Sequence, residues 1–215
     1  MRRLFLIRHG ESTYNAEGRI QGHQDPPLSE LGLRQAEAIA RRLCSETLDA
    51  VYSSDLMRAS ATAEMIAAPR QLPVLTTPFL RESRLGVIEG LTRSEMEEMH
   101  PQLLHEWRRE PLTARPPGAE SIEDVVARCR AFLAETLPDD SQGSRLVIVG
   151  HGGSLRGIVV AGLELPTEAY RRMHFSNASL SVIELGENPA IWLLNDTSHL
   201  DSLRTDEEEV DSVAH

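Results

Sequence analysis

Two continuous apolar runs, residues 4–7 (LFLI) and 146–149 (LVIV), constrain the fold more than any other feature of this sequence. Neither run alternates with polar residues, and such runs are typical of strands that are buried on both faces of a sheet. A glycine-containing polar segment and a helical pattern follow each run. Because strands that alternate with helices build sheets with helices on both faces, the sequence predicts an α/β fold with a mainly parallel sheet.

Apolar residues at helical spacing predict four helices between and after these strands. Ser29, Asp55 and Ser121 each precede such a pattern and can cap its first turn. Pro69 and Pro138 follow two of the patterns and are expected to end those helices. The predicted helices are 29–45, 55–68, 121–137 and 154–163, and the remaining predicted strands are 48–52, 74–77, 180–185 and 191–194.

The length of 215 residues suits a single α/β domain, which we expect to span residues 1–200. Residues 201–215 are acidic, have neither a helical nor a strand pattern, and are expected to form a solvated tail without a catalytic role. The segment from Thr92 to Gly118 is interpreted as an insertion. Within it, Thr92 and Glu95 form a capping-box pattern that predicts one short acidic helix.

The charge balance narrows the classes of ligand. A formal net charge of -11 opposes non-specific binding to nucleic acid or to anionic lipid. No apolar run approaches the ~20 residues that a membrane-spanning helix needs, and the N-terminus becomes polar too early for a signal peptide. We therefore expect a cytoplasmic protein with a small ligand. Cys44 and Cys129 fall in predicted helices and are interpreted as core residues of a reduced protein.

Two histidines follow the two buried-type strands directly. His9 lies in LIRHGEST and His151 lies in VIVGHGGS. One histidine alone is more often a hydrogen-bonded structural residue than a catalyst, and an RHG tripeptide alone has little specificity. However, ligands of open α/β sheets gather at the carboxyl ends of the strands, where both of these histidines are expected. Their shared position favours a functional interpretation.

Arg8 and Arg58 are expected to make this sheet edge cationic. Guanidinium groups offer forked donors that match phosphate oxygens, and the free N–H groups of helix N-termini near Arg58 and Gly152 would add aligned dipoles. Such a pocket in an acidic protein suits a phosphate dianion. The alternative for Arg58 is a charge on the exposed face of its helix.

Five blocks of the sequence, in this order, resemble the histidine phosphatase superfamily: LIRHGEST, GRIQGHQDPPLSELGLRQA, VYSSDLMRASATAE, LRESRLGVIEG and VIVGHGGSLRG. The resemblance extends from Arg2 to about Leu200. It implies a three-layer α/β/α sandwich and a phosphohistidine intermediate. Members of that superfamily include broad-specificity, α-ribazole and phosphoserine phosphatases and cofactor-dependent phosphoglycerate mutases.

The resemblance also implies roles for individual residues. It makes His9 the nucleophile and Glu82 the proton donor, and it implies that Arg8, Arg58 and His151 hold the phosphoryl oxygens. The positions that match phosphate-lining residues are Asn15, Gln21, Gly22 and Gly152. An unprotonated imidazole is a competent nucleophile near neutral pH, and fixed cations can stabilise the phosphoryl group in transit. We therefore expect neither a metal nor a cofactor.

The other candidate residues favour structural interpretations. His100 and His105 are five positions apart, a poor fit to two metal ligands on one helical face. His199 could reach the mouth of the pocket, although a structural role is favoured. Trp107 and Trp192 are interpreted as packing residues.

Three functions stay open at this point. The first is hydrolysis of a small phosphorylated metabolite, the second is a phosphoglycerate mutase that returns the phosphoryl group to substrate, and the third is an inactive scaffold that binds a phospho-ligand. The short, acidic segment between Glu82 and Ser121 favours hydrolysis, because a mutase needs a closed pocket with additional cations.

Within this segment, Ala119 replaces the second glycine of the PGGES pattern that is frequent in the superfamily, which leaves the substrate undetermined. A homodimer is possible. The arginines of this segment are interpreted as surface charges: Arg93, Arg108, Arg109 and Arg115.

Overall fold

A computed structural model describes residues 1–109, 115–136 and 143–203. Six strands form one sheet in the order β3-β2-β4-β1-β5-β6. β1, β2, β3 and β4 run parallel, whereas β5 pairs antiparallel with β1 and β6 pairs antiparallel with β5. The predicted, mainly parallel sheet is therefore confirmed. The strands are β1 (Arg2–Arg8), β2 (Ala50–Ser54), β3 (Val74–Thr77), β4 (Arg145–Gly150), β5 (Leu180–Leu185) and β6 (Ala190–Asp196).

Helices cover both faces of the sheet. Leu4 and Leu6 of β1 pack in one core cluster with α6 and α7, and Phe5 and Ile7 pack in a second cluster with α2 and α3. This alternation follows from the pleat of β1, which turns successive side chains to opposite faces. The predicted α/β/α sandwich is thus confirmed. The described α-helices are α1 (Thr13–Ala16), α2 (Glu30–Arg42), α3 (Met57–Ala67), α4 (Arg93–Met99), α5 (Pro101–Arg109), α6 (Ile122–Ala131) and α7 (Gly152–Gly162).

Most of the predicted helix starts are confirmed, and one is wrong. Ser29 and Ser121 cap α2 and α6 with their side chains, and Thr92 forms the expected capping box with Glu95 at the start of α4. Asp55 does not cap α3, which begins after Leu56 without a side-chain cap. The Asp55 carboxylate instead accepts hydrogen bonds from the guanidinium of a distant arginine, Arg81. The first N–H group of α3, that of Met57, donates to the Asp25 carboxylate at 2.7 Å.

The two cysteines differ from each other in environment. Cys129 is fully buried in α6, where burial raises the pKa of its thiol to about 12, as expected for an inert core residue. The prediction for Cys44 is wrong, because α2 ends at Arg42 and Cys44 lies beyond the helix with an exposed side chain. Both cysteines are free thiols.

Several features differ from the sequence-based expectation. Neither α1 nor α5 is predicted by periodicity, because α1 has only four residues and α5 lies in the segment interpreted as an insertion. The 3-10 helix Ser198–Leu203 extends into the expected tail, and its Leu200 is buried against the second core cluster. Residues 204–215 and Pro138 lie outside the described part of the chain.

The tryptophan interpretation is also corrected. Trp192 on the edge strand β6 is 65% exposed, and the guanidinium of Arg3 lies over its ring, with 5.6 Å between the guanidinium carbon and the ring centroid. It is therefore a surface residue, not a core residue. The side chain of Trp107 lies outside the described residues. Among the described helices, none has the length and hydropathy that crossing a membrane requires.

Candidate active site

The two histidines meet because their strands are neighbours. β1 and β4 are adjacent and parallel, with Arg8 opposite Gly150, so the residues that follow them emerge at the same edge of the sheet. The ring centroids of His9 and His151 lie 4.9 Å apart, and both residues are almost completely buried. The sequence-based expectation of a paired histidine site at this edge agrees with the geometry.

A backbone hydrogen bond orients the His9 ring. Its Nδ1 lies 2.6 Å from the carbonyl oxygen of Gly10. Because a carbonyl can only accept, Nδ1 must carry the hydrogen, and a neutral ring then has its lone pair on Nε2. Burial holds the pKa of His9 well below its usual value, and the charges of Arg8 and Arg58 lower it further. His9 therefore presents an unprotonated Nε2 at neutral pH.

Arg58 is a buried cation, so its alternative interpretation as a surface charge is wrong. It lies in the first turn of α3 with 0% exposure, and its Nη1 and Nη2 donate to the carbonyls of Gln24 (2.8 Å) and Gly22 (3.1 Å). Gly22 adopts a φ of 53°, which favours glycine, and a side chain there would overlap Glu89. Burial lowers the pKa of Arg58 to about 10, so the guanidinium is still charged at neutral pH.

Buried polar atoms without a protein partner surround His9. Both ring nitrogens of His151 and the Nε atoms of Arg8 and Arg58 have no hydrogen-bond partner in the described structure. The Arg8 Nη1 donates to the carbonyl of Phe175 at 2.6 Å, which fixes this side chain. Unsatisfied buried donors are costly, and here they converge beside a nucleophile. Such an arrangement can bind an anion with several acceptor oxygens.

Glu82 is held at the N-terminus of α7. Its Oε1 accepts hydrogen bonds from the backbone N–H groups of Gly153 (2.8 Å) and Ser83 (2.7 Å). Its backbone carbonyl accepts from His23 (2.9 Å) and from Arg128 (3.1 Å), which anchors the loop. Because two N–H donors occupy Oε1, Oε2 is the oxygen that can carry a proton. Glu82 can therefore act as an acid in the same site as His9.

The positions expected to line a phosphate belong to one hydrogen-bonded network with His9. Asn15 Oδ1 accepts from Ser12 and from the amide of Asn177, which also donates to the His9 carbonyl at 3.1 Å. Gln21 Oε1 accepts from the Ser12 hydroxyl at 2.8 Å. These contacts fix the two amide side chains, and direct contact with a phosphate stays a prediction. Gly22 accepts from Arg58, as described above, and Gly152 begins α7.

A cleft of about 320 Å³ gives access to this site. Arg8, Glu82 and Gly152 line it, whereas His9, Arg58 and His151 do not contribute to its surface. Arg8 and Glu82 thus connect the cleft with the buried histidines. A volume of this size lies at the small end of the range for metabolite sites.

Several residues of the site are not predicted from the sequence. Gly153 holds Glu82 through its N–H, and the repeated glycine at the start of α7 is the only sequence signal for that role. The role of Arg128 is not predicted either, because its contact with the carbonyl of Glu82 joins residues that are 46 positions apart. Arg156 and Arg171 also line the cleft, and both lie outside the segment between Glu82 and Ser121.

The remaining arginines and histidines divide between surface and structural positions. Arg93 pairs with Glu97 on α4, and Arg115 pairs with Asp124 at 3.9 Å. Both are exposed, as expected for surface charges, and Arg115 also lines the cleft. The side chain of Arg108 lies outside the description. The His199 Nε2 lies 3.0 Å from the carbonyl oxygen of Ala178, which supports its structural interpretation. Within the described ranges, no group of His, Cys, Asp or Glu side chains is arranged to hold a metal ion.

A mainly parallel α/β sandwich thus holds two buried histidines, the buried Arg58 and the partly buried Arg8 at one edge of its sheet, and this set suits an anion with several acceptor oxygens. The family model of the histidine phosphatase superfamily (branch 1) matches residues 4–197, and the chain belongs to that superfamily. Its members include phosphatases and phosphoglycerate mutases, as the relatives below illustrate.

Similar proteins carry both kinds of name. The chain is 36% identical to a Yersinia pestis (strain Pestoides F) protein named "Probable phosphoglycerate mutase GpmB", over 96% of this chain and 99% of that protein. It is 33% identical to a mycobacterial glucosyl-3-phosphoglycerate phosphatase solved with VO3, with a TM-score of 0.82 over 92% and 100% of the two chains. An α-ribazole phosphatase from Shigella flexneri is 28% identical, with a TM-score of 0.80 over 90% and 96%.

Proposed function

We propose that this protein hydrolyses small phosphomonoesters through a phosphohistidine intermediate on His9, without a metal or another cofactor. The observation that carries the proposal is the His9 ring, whose Nδ1 is tied to the Gly10 carbonyl and whose Nε2 lies unprotonated among buried cations. An inactive scaffold would need the cations but neither the oriented nucleophile nor the fixed carboxyl group of Glu82.

In the first step the Nε2 lone pair of His9 attacks phosphorus as the bond from phosphorus to the ester oxygen breaks. The proton on Glu82 Oε2 passes to the leaving alkoxide, which departs as an alcohol. Arg8, Arg58 and the backbone N–H of Gly152 stabilise the charge that spreads over the three other oxygens. His151 contributes hydrogen bonds to the same oxygens.

In the second step water attacks the phosphorus of phospho-His9. The ionised Glu82 carboxylate removes a proton from this water, the bond from phosphorus to Nε2 breaks, and orthophosphate leaves. Glu82 is then protonated again, and His9 recovers its neutral ring. The cycle balances with the substrate and one water, so side chains alone supply each role.

The acidic chain supports a small phosphorylated metabolite as the partner, as opposed to nucleic acid or a membrane. A cytoplasmic location and a single domain over residues 1–200 remain part of this proposal. A homodimer stays a prediction.

A phosphoglycerate mutase is the second candidate, and a specific observation favours it. Arg156 and Arg171 line the cleft and add cations that a distal anionic group could use. The relative named as a mutase matches 96% of this chain over 99% of its own length. Hydrolysis is still favoured, because the segment between Glu82 and Ser121 is short and acidic, and because Glu82, which would activate the water, lines the cleft.

One experiment distinguishes phosphatase from mutase activity. The protein is supplied with 3-phosphoglycerate and catalytic 2,3-bisphosphoglycerate, and the formation of 2-phosphoglycerate and of free phosphate is followed together. We expect release of phosphate to exceed isomerisation, with both absent in His9→Ala. Isomerisation clearly faster than release of phosphate from the best monoester would assign the protein as a mutase.

A further inference from the structure

Among the described residues, three arginines line the cleft without a role in the chemistry at His9, and one of them, Arg115, pairs with Asp124. The other two are Arg156 and Arg171. Arg156 lies on α7, and Arg171 lies on the 3-10 helix Thr167–Arg172. Both line the same cleft as Arg8 and Glu82. Three elements that are distant in the sequence therefore bring guanidinium groups to one cavity.

Arg156 is fixed in position by its surroundings. Its Nε donates a hydrogen bond of 2.9 Å to the carbonyl of Met173, and its guanidinium carbon lies 5.7 Å from the centroid of the Tyr170 ring. The Nη groups of Arg156 donate to no described residue. A guanidinium held at its inner nitrogen, with both outer nitrogens free, is prepared for a forked contact with an anion.

Three of the arginines that line the cleft have no direct ion-pair partner among the described residues, whereas the fourth, Arg115, pairs with Asp124. Among the described residues, no carboxylate lies within ion-pair distance of Arg8, Arg156 or Arg171, whereas Glu120 at the same cleft is paired with Arg128 at 2.9 Å. The pKa values of Arg8 and Arg171 are both lowered, first by burial and also by the charge of Arg156. Glu82 lines the same cleft and raises the pKa of Arg8, so it partly offsets that charge. Arg156 and Arg171 are then two like charges without a carboxylate partner in one cavity of a protein with net charge -11, which indicates a site for an anion.

We propose that Arg156 and Arg171 bind a second anionic group, a carboxylate or a second phosphate, on the phosphomonoester whose phosphoryl group is transferred to His9. The substrate class is then a small phosphorylated acid. This inference rests on the proposed function, because it concerns the other end of the same substrate. Arg8 lies between the phosphoryl subsite at His9 and the proposed anion subsite at Arg156 and Arg171, since it lines the cleft and also neighbours His9.

The test compares two ligands that differ at a single group. 3-Phosphoglycerate carries a carboxylate where glycerol 3-phosphate carries a neutral hydroxymethyl group. Affinities are measured by calorimetry at fixed ionic strength in the His9→Ala background, which prevents turnover. We expect 3-phosphoglycerate to bind at least about tenfold more tightly, since a charge-assisted hydrogen bond contributes about 1.5–3 kcal/mol. 2,3-Bisphosphoglycerate tests the second phosphate in the same way.

Three additional substitutions in that background locate the preference. Arg156→Gln should reduce the ratio of the two affinities about tenfold, and Arg171→Gln should reduce it about threefold because this residue is more exposed. Arg172→Gln is the matched control, since Arg172 is exposed on the same 3-10 helix and does not line the cleft. It should leave the ratio unchanged.

Equal affinities for the two phosphate esters, or no measurable binding of either acidic ligand, would overturn the proposal. An unchanged ratio in Arg171→Gln would do the same even if Arg156→Gln failed to fold. Failure of the proposed function gives a different result, namely that the unmodified protein releases no phosphate from any monoester. The binding ratio is independent of that outcome.

Discussion

Gly153→Ala should impair the acid step of catalysis while the fold survives. A methyl group at this position would overlap Glu82 Oε1 and Ser83 Oγ and would lie 2.9 Å from the Tyr170 hydroxyl. These atoms are the ends of side chains, so they can move, and alanine favours a helix over glycine by about 1 kcal/mol. The cost is displacement of the Glu82 carboxyl group by roughly 1 Å, which can slow a reaction ~10²-fold.

The assay compares kcat for an alkyl phosphate and for p-nitrophenyl phosphate, whose leaving group needs little protonation. We expect Gly153→Ala to lose ~10²-fold on the alkyl ester and much less on the aryl ester, as Glu82→Gln should by removing the acid itself. Gly152→Ala adds the same methyl group one residue earlier, where the closest contact is with Glu82 Oε2 at 3.8 Å. If both alanine variants changed the alkyl-to-aryl ratio equally, the assigned role of Gly153 would be wrong.

Two further predictions concern metals and pH. Hydrolysis of p-nitrophenyl phosphate should persist in excess chelator, because side chains fill each catalytic role; loss of activity that a divalent ion restores would refute this. Burial lowers the pKa of both His9 and His151 below 6.5, so below that pH the unfolded chain binds more protons than the folded one. As the pH is lowered below 6.5, the free energy of unfolding should therefore decrease by up to about 1.4 kcal/mol per pH unit for each histidine. Urea unfolding that shows no loss of stability between pH 6.5 and pH 5 would contradict this prediction.

The layered fold could be predicted from the sequence because local patterns determine it. The run at residues 74–77 matches β3, and the capping pattern of Thr92 matches the start of α4, since both signals act between neighbouring residues. The start of α3 could not be predicted, because Asp55 is drawn to Arg81 by a contact across 26 positions. α1 is too short to show any periodicity.

Some features of the candidate site could likewise be predicted from the sequence, and others could not. His9 and His151 could be paired from the sequence, since each directly follows a strand and parallel strands end at one edge. The burial of Arg58 could not be predicted from its helix alone, because its partners are carbonyls more than 30 positions away. Arg156 and Arg171 depend on how α7 and a short 3-10 helix border the cleft, and no local pattern records that arrangement.

The central claim is that His9 accepts the phosphoryl group, and trapping the intermediate tests it most directly. Protein mixed with labelled p-nitrophenyl phosphate is quenched within milliseconds, and the labelled peptide is sequenced by mass spectrometry under basic conditions. The account predicts an acid-labile, base-stable phosphate on His9, and no label and no turnover in His9→Ala. Label on a serine or carboxylate, or full activity in His9→Ala, would contradict it.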